Sequence, residues 1–155
     1  MHFPHRIRAA ERDGGPKKPQ TSADSAQRAH PRAALNARVL VVDDNLDAVR
    51  MMALLLRDMG FEVRTATSGS AAIEVARDFT PEFVLLDIVL PDVDGCDLAT
   101  DLRGLPGLDR AKIFAITAYD DDAARHRAVQ CGCNGYFLKP ISPMVLAHLL
   151  SRKNW

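Results

Sequence analysis

Asp43, Asp44, Asp87, Thr117 and Lys139 are the residues of this chain whose types could do chemistry together. Each stands at or just past the end of a short apolar run: Val39-Leu40-Val41-Val42, Phe83-Val84-Leu85-Leu86, Ile113-Phe114-Ala115-Ile116 and Tyr136-Phe137-Leu138. Apolar runs without alternation mark strands buried on both faces of a parallel sheet. Parallel strands share one carboxyl edge, where open α/β folds bind ligands. Groups far apart along the chain are therefore expected to meet there. Three crowded carboxylates repel one another unless a cation sits among them. All-oxygen ligands at a wet edge suit a hard, partly hydrated ion, Mg²⁺. Lys139 offers a positive charge to an incoming anion and Thr117 a hydroxyl donor. Metal, ammonium and hydroxyl around a carboxylate make an electrostatic cradle for phosphoryl transfer, with Asp87 as the acceptor of an aspartyl phosphate.

The elements that must position these groups follow from pattern. Val49, Met52, Leu55, Leu56 and Met59 form an apolar stripe at helical spacing over about 46–59, stopped by Gly60. A strand over 61–66 precedes a helix opened by Ser68-Gly69-Ser70 and running to about Asp78. The Asp87 strand leads into a loop marked by Pro91 and Gly95, then a helix over about 96–103, broken by Gly104, Pro106 and Gly107. The strand ending at Thr117 precedes a helix over 120–130. The strand ending at Lys139 precedes a last helix opened by Ser142 and Pro143. Five βα repeats predict an α/β fold: a doubly wound five-stranded parallel sheet with helices on both faces.

Composition bounds the rest. The 155 residues, 47% hydrophobic and 26% charged, suit one domain with a full core. The zero net charge is unevenly spread: residues 1–36 carry seven Lys and Arg against three Asp and Glu, and residues 37–155 carry thirteen against seventeen. Residues 1–36, rich in Pro, Gly and polar side chains and poor in large aliphatics, read as a disordered basic extension. A weakly acidic body predicts no direct nucleic-acid contact. No apolar run approaches a membrane span, and no hydrophobic signal core opens the chain, so no membrane contact and a cytoplasmic setting are expected. Cys96, Cys131 and Cys133 show no CxxC spacing and read as free thiols in a reducing compartment.

Val41-Val42-Asp43-Asp44-Asn45, Leu86-Asp87-Ile88-Val89-Leu90-Pro91-Asp92-Val93-Asp94-Gly95, Thr117-Ala118 and Tyr136-Phe137-Leu138-Lys139-Pro140 closely resemble the response-regulator receiver domain of two-component signalling. The match runs from about Arg38 through the last helix, so residues 37–155 are taken as the receiver and no separate output domain is expected. The resemblance implies a flavodoxin-like fold with strand order 2-1-3-4-5. It implies that Asp87 accepts phosphate from a sensor histidine kinase or a histidine phosphotransfer protein. Asp43, Asp44, Asp87 and the Val89 carbonyl would hold Mg²⁺. Lys139 would pair with a phosphoryl oxygen, beside a Lys139-Pro140 bond that is typically cis. Thr117 and Tyr136 would switch on phosphorylation and alter a surface, formed by the fourth helix, fifth strand and fifth helix, that meets a downstream protein target or a second copy. Such a chain is not an enzyme on a separate substrate; it catalyses only its own phosphorylation and slow dephosphorylation.

Alternatives stay open at several positions. Asp43 and Asp44 could simply cap the first helix. Tyr136 could be plain core. Ala48 and Met51 widen the first helix's stripe and could pack inward; the resemblance instead implies that they dock the kinase helix. Asp92-Val93-Asp94-Gly95 is close to a calcium loop, but Leu90 holds the slot where an acid is required. A haloacid-dehalogenase-like phosphatase would need an acid where Val89 stands, and an unphosphorylated interaction module has no use for the intact acid set. Val89 and Tyr119 offer no acid or amide to orient attacking water, which predicts slow loss of phosphate.

Overall fold

A computed structural model describes residues 36–152. The elements in order are β1 (Arg38–Val42), α1 (Leu46–Asp58), β2 (Glu62–Ala66), α2 (Gly69–Phe79), β3 (Phe83–Asp87), α3 (Gly95–Gly104), β4 (Lys112–Thr117), α4 (Asp122–Gln130), β5 (Gly135–Leu138) and α5 (Pro143–Leu150). The five strands form one parallel sheet in the order β2-β1-β3-β4-β5, as the resemblance implied.

The period of two along each strand divides the core into two layers. Val39, Val41, Phe83, Leu85, Phe114 and Ile116 face Ala53 and Leu56 of α1 and Leu146 and Leu150 of α5. Leu40, Val42, Val84, Leu86 and Ile113 face Ala72 and Ala76 of α2 and Leu98, Ala99 and Leu102 of α3. Strand β3 lies in the middle of the sheet and every residue of it is buried. β5 forms one edge and all four of its residues are only half-buried.

Local chemistry sets the element ends. Asn45 caps α1, its side chain accepting the N–H groups of Asp47 and Ala48 at 3.1 Å each. Gly60, at φ 96°, turns the chain out of α1. Helix α3 runs through Gly104 rather than stopping before it, and ends two residues ahead of Pro106. Helix α4 starts at Asp122 rather than Asp120, because Asp121 serves as its N-cap and accepts the Ala124 N–H at 2.6 Å. Ser142 stands at the N-cap of α5 with Pro143 behind it, but makes no side-chain capping bond. The Lys139-Pro140 peptide is cis.

The cysteines depart from expectation. Cys96, in the first turn of α3, and Cys131, just past α4, are joined in a disulfide with Cα atoms 5.3 Å apart, and Cys133 remains free. Spacing along the chain could not reveal this pair, since 35 positions separate the two residues and only the packing of α4 on α3 brings them together. Among the described residues no helix is long and apolar enough to cross a membrane. The disorder expected of residues 1–36 lies outside the described residues except at Asn36, whose N–H donates to the Gly60 carbonyl at 3.0 Å.

Candidate functional site

The register of the sheet lines up the strand ends. Val42 pairs with Leu86, Asp87 with Ile116 and Thr117 with Leu138. Asp43, Asp87, Thr117 and Lys139 therefore lie side by side across the four adjacent strands β1, β3, β4 and β5. Asp43, Asp87 and Thr117 are buried, although each is polar.

Lys139 is the hinge of the arrangement. Its Nζ donates to Asp43 Oδ2 at 2.6 Å and to Asp87 Oδ2 at 2.7 Å, across 96 and 52 chain positions. Burial alone would lower its pKa, but the hydrogen bonds to Asp43 and Asp87 and their negative charges outweigh it and hold it above the ordinary 10.5. The ammonium is thus firmly charged. The other Asp87 oxygen, Oδ1, accepts the Val89 N–H at 2.9 Å. Two donors from opposite sides fix the plane of that carboxylate.

Asp43, Asp44 and Asp87 each offer an oxygen, and these atoms lie within 4.8 Å of one another. Asp44 is exposed, so the cluster opens to water on one side. Octahedral Mg²⁺ binds oxygens at about 2.0–2.1 Å, so its ligands sit at most about 4.2 Å apart, and small side-chain shifts would close these three carboxylates on an ion of that size. Asp43 Oδ1 accepts the Asn45 N–H at 2.9 Å. Asp43 and Asp44 do not cap α1; Asn45 does, which leaves the two acids to the cluster.

The loop after Asp87 is held tightly. Gly95 donates its N–H to the Ile88 carbonyl at 2.9 Å, and a Cβ on Gly95 would lie 2.5 Å from Ile88 Cα. Asp94 caps α3 by accepting the Cys96 N–H at 2.8 Å and also takes Arg127 of α4 at 2.6 Å. Asp92 reaches across to α2 and accepts the N–H groups of Gly69 and Ser70 at 2.8 and 3.0 Å. Both carboxylates are thus committed to helix ends rather than to a calcium loop. Val89 is 52% exposed and lines a recess with Thr117 and Tyr119.

Thr117 is 1% exposed and its Oγ1 accepts the Tyr119 N–H at 3.2 Å. Tyr136 is half-buried; its hydroxyl donates to the Tyr119 carbonyl, and the Arg125 guanidinium lies 5.7 Å from its ring centre. Desolvation and nearby Asp121 push the Tyr136 phenol up. Tyr136 is therefore bound to the segment between β4 and α4 rather than being plain core. Ala48 and Met51 are both exposed, so neither belongs to the core; the buried stripe of α1 is Val49, Ala53 and Leu56. Ala48 borders an apolar recess of about 240 Å³, shared with Met52, Ile116, Pro140 and Ile141, which abuts Asp43, Asp87 and Lys139. A larger recess of about 390 Å³, bordered by Arg38, Glu82 and Lys112, holds none of the strand-end groups. The cap at Asn45, the tie from Asp92 to α2 and the Asp94–Arg127 pair were not foreseen from sequence; an Asn just before an apolar stripe is a helix-start signal that could have found the first.

Comparison with known proteins bears on this geometry. The model of the response regulator receiver domain matches residues 39–151. An uncharacterised 14.6 kDa protein of Leptolyngbya boryana is 31% identical over 114 residues, covering 74% of this chain and 87% of that protein. The DNA-binding response regulator MtrA of Mycolicibacterium smegmatis is 33% identical over 112 residues, covering 72% of this chain and 48% of the regulator. This chain spans about half the length of the mycobacterial MtrA regulators it matches. Among solved structures, chemotaxis protein CheY4 of Vibrio cholerae is similar at a TM-score of 0.72 with 26% identity, over 76% of this chain and 98% of that one. A response regulator of Burkholderia pseudomallei, solved with a phosphorylated aspartic acid and a calcium ion, reaches a TM-score of 0.69 with 28% identity over 77% of this chain and 68% of that one. With the family model covering most of the length and the strand-end acids and lysine converging at one edge, this chain belongs to the response regulator receiver domain family.

Proposed function

We propose that this chain is a phosphoryl-accepting switch: Asp87 takes a phosphoryl group from a phosphohistidine on a sensor kinase or phosphotransfer protein, and the change is read by a protein target. Receiver domains generally bind Mg²⁺ at an acidic pocket, and the residues that would hold it here are Asp43, Asp44 and Asp87 with the Val89 carbonyl. The ion, when bound, offsets the negative charge of the phosphoryl oxygens as they approach the three carboxylates.

The chain's own groups do the rest. An Asp87 oxygen attacks phosphorus as the bond to the donor imidazole breaks, and the imidazole nitrogen leaves with the electron pair. Lys139 orients Asp87 beforehand and then turns its ammonium to the phosphoryl oxygen. The Thr117 hydroxyl donates to a second oxygen, giving up its bond with the Tyr119 N–H. Tyr136, held to the same segment through the Tyr119 carbonyl, follows, and the α4–β5–α5 surface changes. Ala48 and Met51, exposed on α1 beside the pocket, dock the donor protein. Residues 37–155 make up the receiver, which acts in the cytoplasm without direct nucleic-acid or membrane contact and is compatible with a homodimer formed on phosphorylation.

The observation that carries this reading is the pair of hydrogen bonds from Lys139 to Asp43 and Asp87 beside a cluster of three acids. The test is intact-mass spectrometry of the full chain after incubation with Mg²⁺ and acetyl phosphate. A single added phosphoryl group that disappears in the Asp87→Asn variant supports the reading. Steady release of phosphate without a persistent adduct, or an adduct that survives Asp87→Asn, overturns it.

A further inference from the structure

The disulfide joins α3 to the end of α4, one of the two helices of the proposed switch surface. Helix α4 is lightly held: among the described residues it buries only Ala128, and its N-terminal half carries Asp122, Arg125 and His126 in solvent. Its last turn is tied to α3 by polar links. Arg127 pairs with Asp94 at 2.6 Å, both side chains being well exposed, and Arg103 of α3 donates to the Gly132 carbonyl at 2.7 and 3.0 Å. Exposed ion pairs of this kind contribute about 0–1 kcal/mol and are screened by salt. The Cys96–Cys131 bond is of another kind, because it yields only to a reductant.

Three observations point to a bond that can open and close. The Cα separation of 5.3 Å lies within the range a disulfide spans without backbone movement. Both cysteines are half-buried, so small thiols can reach them. Both sulfurs also lie near the Arg127 carbonyl oxygen, at 3.6 and 2.7 Å, so each thiol has an acceptor when the bond is open. Cys133, by contrast, sits against the α2–α3 core layer, where burial pushes its thiol pKa up and makes it a poor nucleophile.

We propose that Cys96 and Cys131 are a reversible redox site whose oxidation pins α4 to α3 and damps the response of the α4–β5–α5 surface to phosphorylation. The damping rests on the phosphoryl-switch reading; the redox site does not. The oxidant is a low-molecular-weight disulfide such as glutathione disulfide. A thiolate of one cysteine attacks a sulfur of the small disulfide and expels one thiol. The second cysteine, as its thiolate, then attacks the mixed disulfide and expels the other. Two protein thiols are oxidised, one small disulfide is reduced to two thiols, and the protons lost by the protein end on those thiols.

The test uses the full chain, treated either with dithiothreitol or with glutathione disulfide. Alkylation and mass spectrometry should count three reactive thiols under denaturing conditions after reduction and one after oxidation, with no disulfide between chains. Cys96→Ser and Cys131→Ser should each abolish this loss, whereas Cys133→Ala should keep it. Amide exchange over 122–130 should slow roughly tenfold on oxidation, and the change that acetyl phosphate and Mg²⁺ cause there in the reduced chain should be mostly lost. Three thiols after oxidation, a persistent glutathione adduct or an intermolecular bond overturns the redox site. Equal exchange responses in the two forms overturn the damping. A reduced chain that takes up no phosphate overturns the phosphoryl-switch reading and the damping with it, and the thiol count still decides the redox site separately.

Discussion

At Asp92 two backbone N–H groups, from Gly69 and Ser70 at the start of α2, converge on one carboxylate. Those bonds hold its pKa below the ordinary 3.8. A depressed pKa in the folded state means that the stabilisation is present above the unfolded value and is lost as pH falls through the folded one. Asp92→Asn should therefore lower the melting temperature at pH 7, and the gap between variant and parent should close as pH drops below about 3.8. Melts by circular dichroism across that range decide it; a gap independent of pH would sink the account. Val89 poses a question of rate. Val89 is exposed, its N–H bonds Asp87, and its apolar side chain offers water no hydrogen bond. Val89→Asn supplies an amide to orient attacking water, so the aspartyl phosphate should decay several-fold faster, followed by the loss of labelled phosphate. An unchanged half-life contradicts that role for position 89.

Elements differ in how much one residue decides them. Helix α1 starts at Asn45, whose carbonyl oxygen takes two orphan N–H groups. Its replacement by Ala should cost about 1 kcal/mol, since water can reach those groups when the cap is gone. The start of α3 is less forgiving. A Cβ at Gly95 would meet the Ile88 backbone at 2.5 Å, and backbone cannot rotate aside as a side chain does. Gly95→Ala should cost about 3 kcal/mol and loosen the loop that carries Val89. Urea unfolding of the two variants should show this order; a Gly95→Ala penalty below the Asn45→Ala one would contradict the close approach seen here.

At the scale of the molecule, the acid cluster draws its oxygens from two separate stretches of chain, Asp43-Asp44 and Asp87. An ion that binds only the folded form raises stability by mass action, about 2.7 kcal/mol at a concentration 100 times its dissociation constant. Mg²⁺ should raise the melting temperature, EDTA should reverse the gain, and Asp44→Asn should shrink it with little harm to the apo fold because Asp44 is exposed. A thermal shift that Asp44→Asn leaves intact would place the ion elsewhere.

Much of this architecture was legible in the order of residues. Apolar runs ending in Asp43, Asp87, Thr117 and Lys139 declare a parallel sheet and its working edge, because hydrophobic period and breaker residues are local properties of a chain. Local pattern therefore dictates the set of elements, their alternation and the types of group at the edge. Tertiary structure alone decided that Lys139 bonds both Asp43 and Asp87, that Asp92 ties the β3–α3 loop to α2, and that Cys96 meets Cys131. The physical reason is common to all three. Such contacts join positions 22 to 96 apart, so they depend on strand register and helix packing, which are properties of the whole fold rather than of any local pattern.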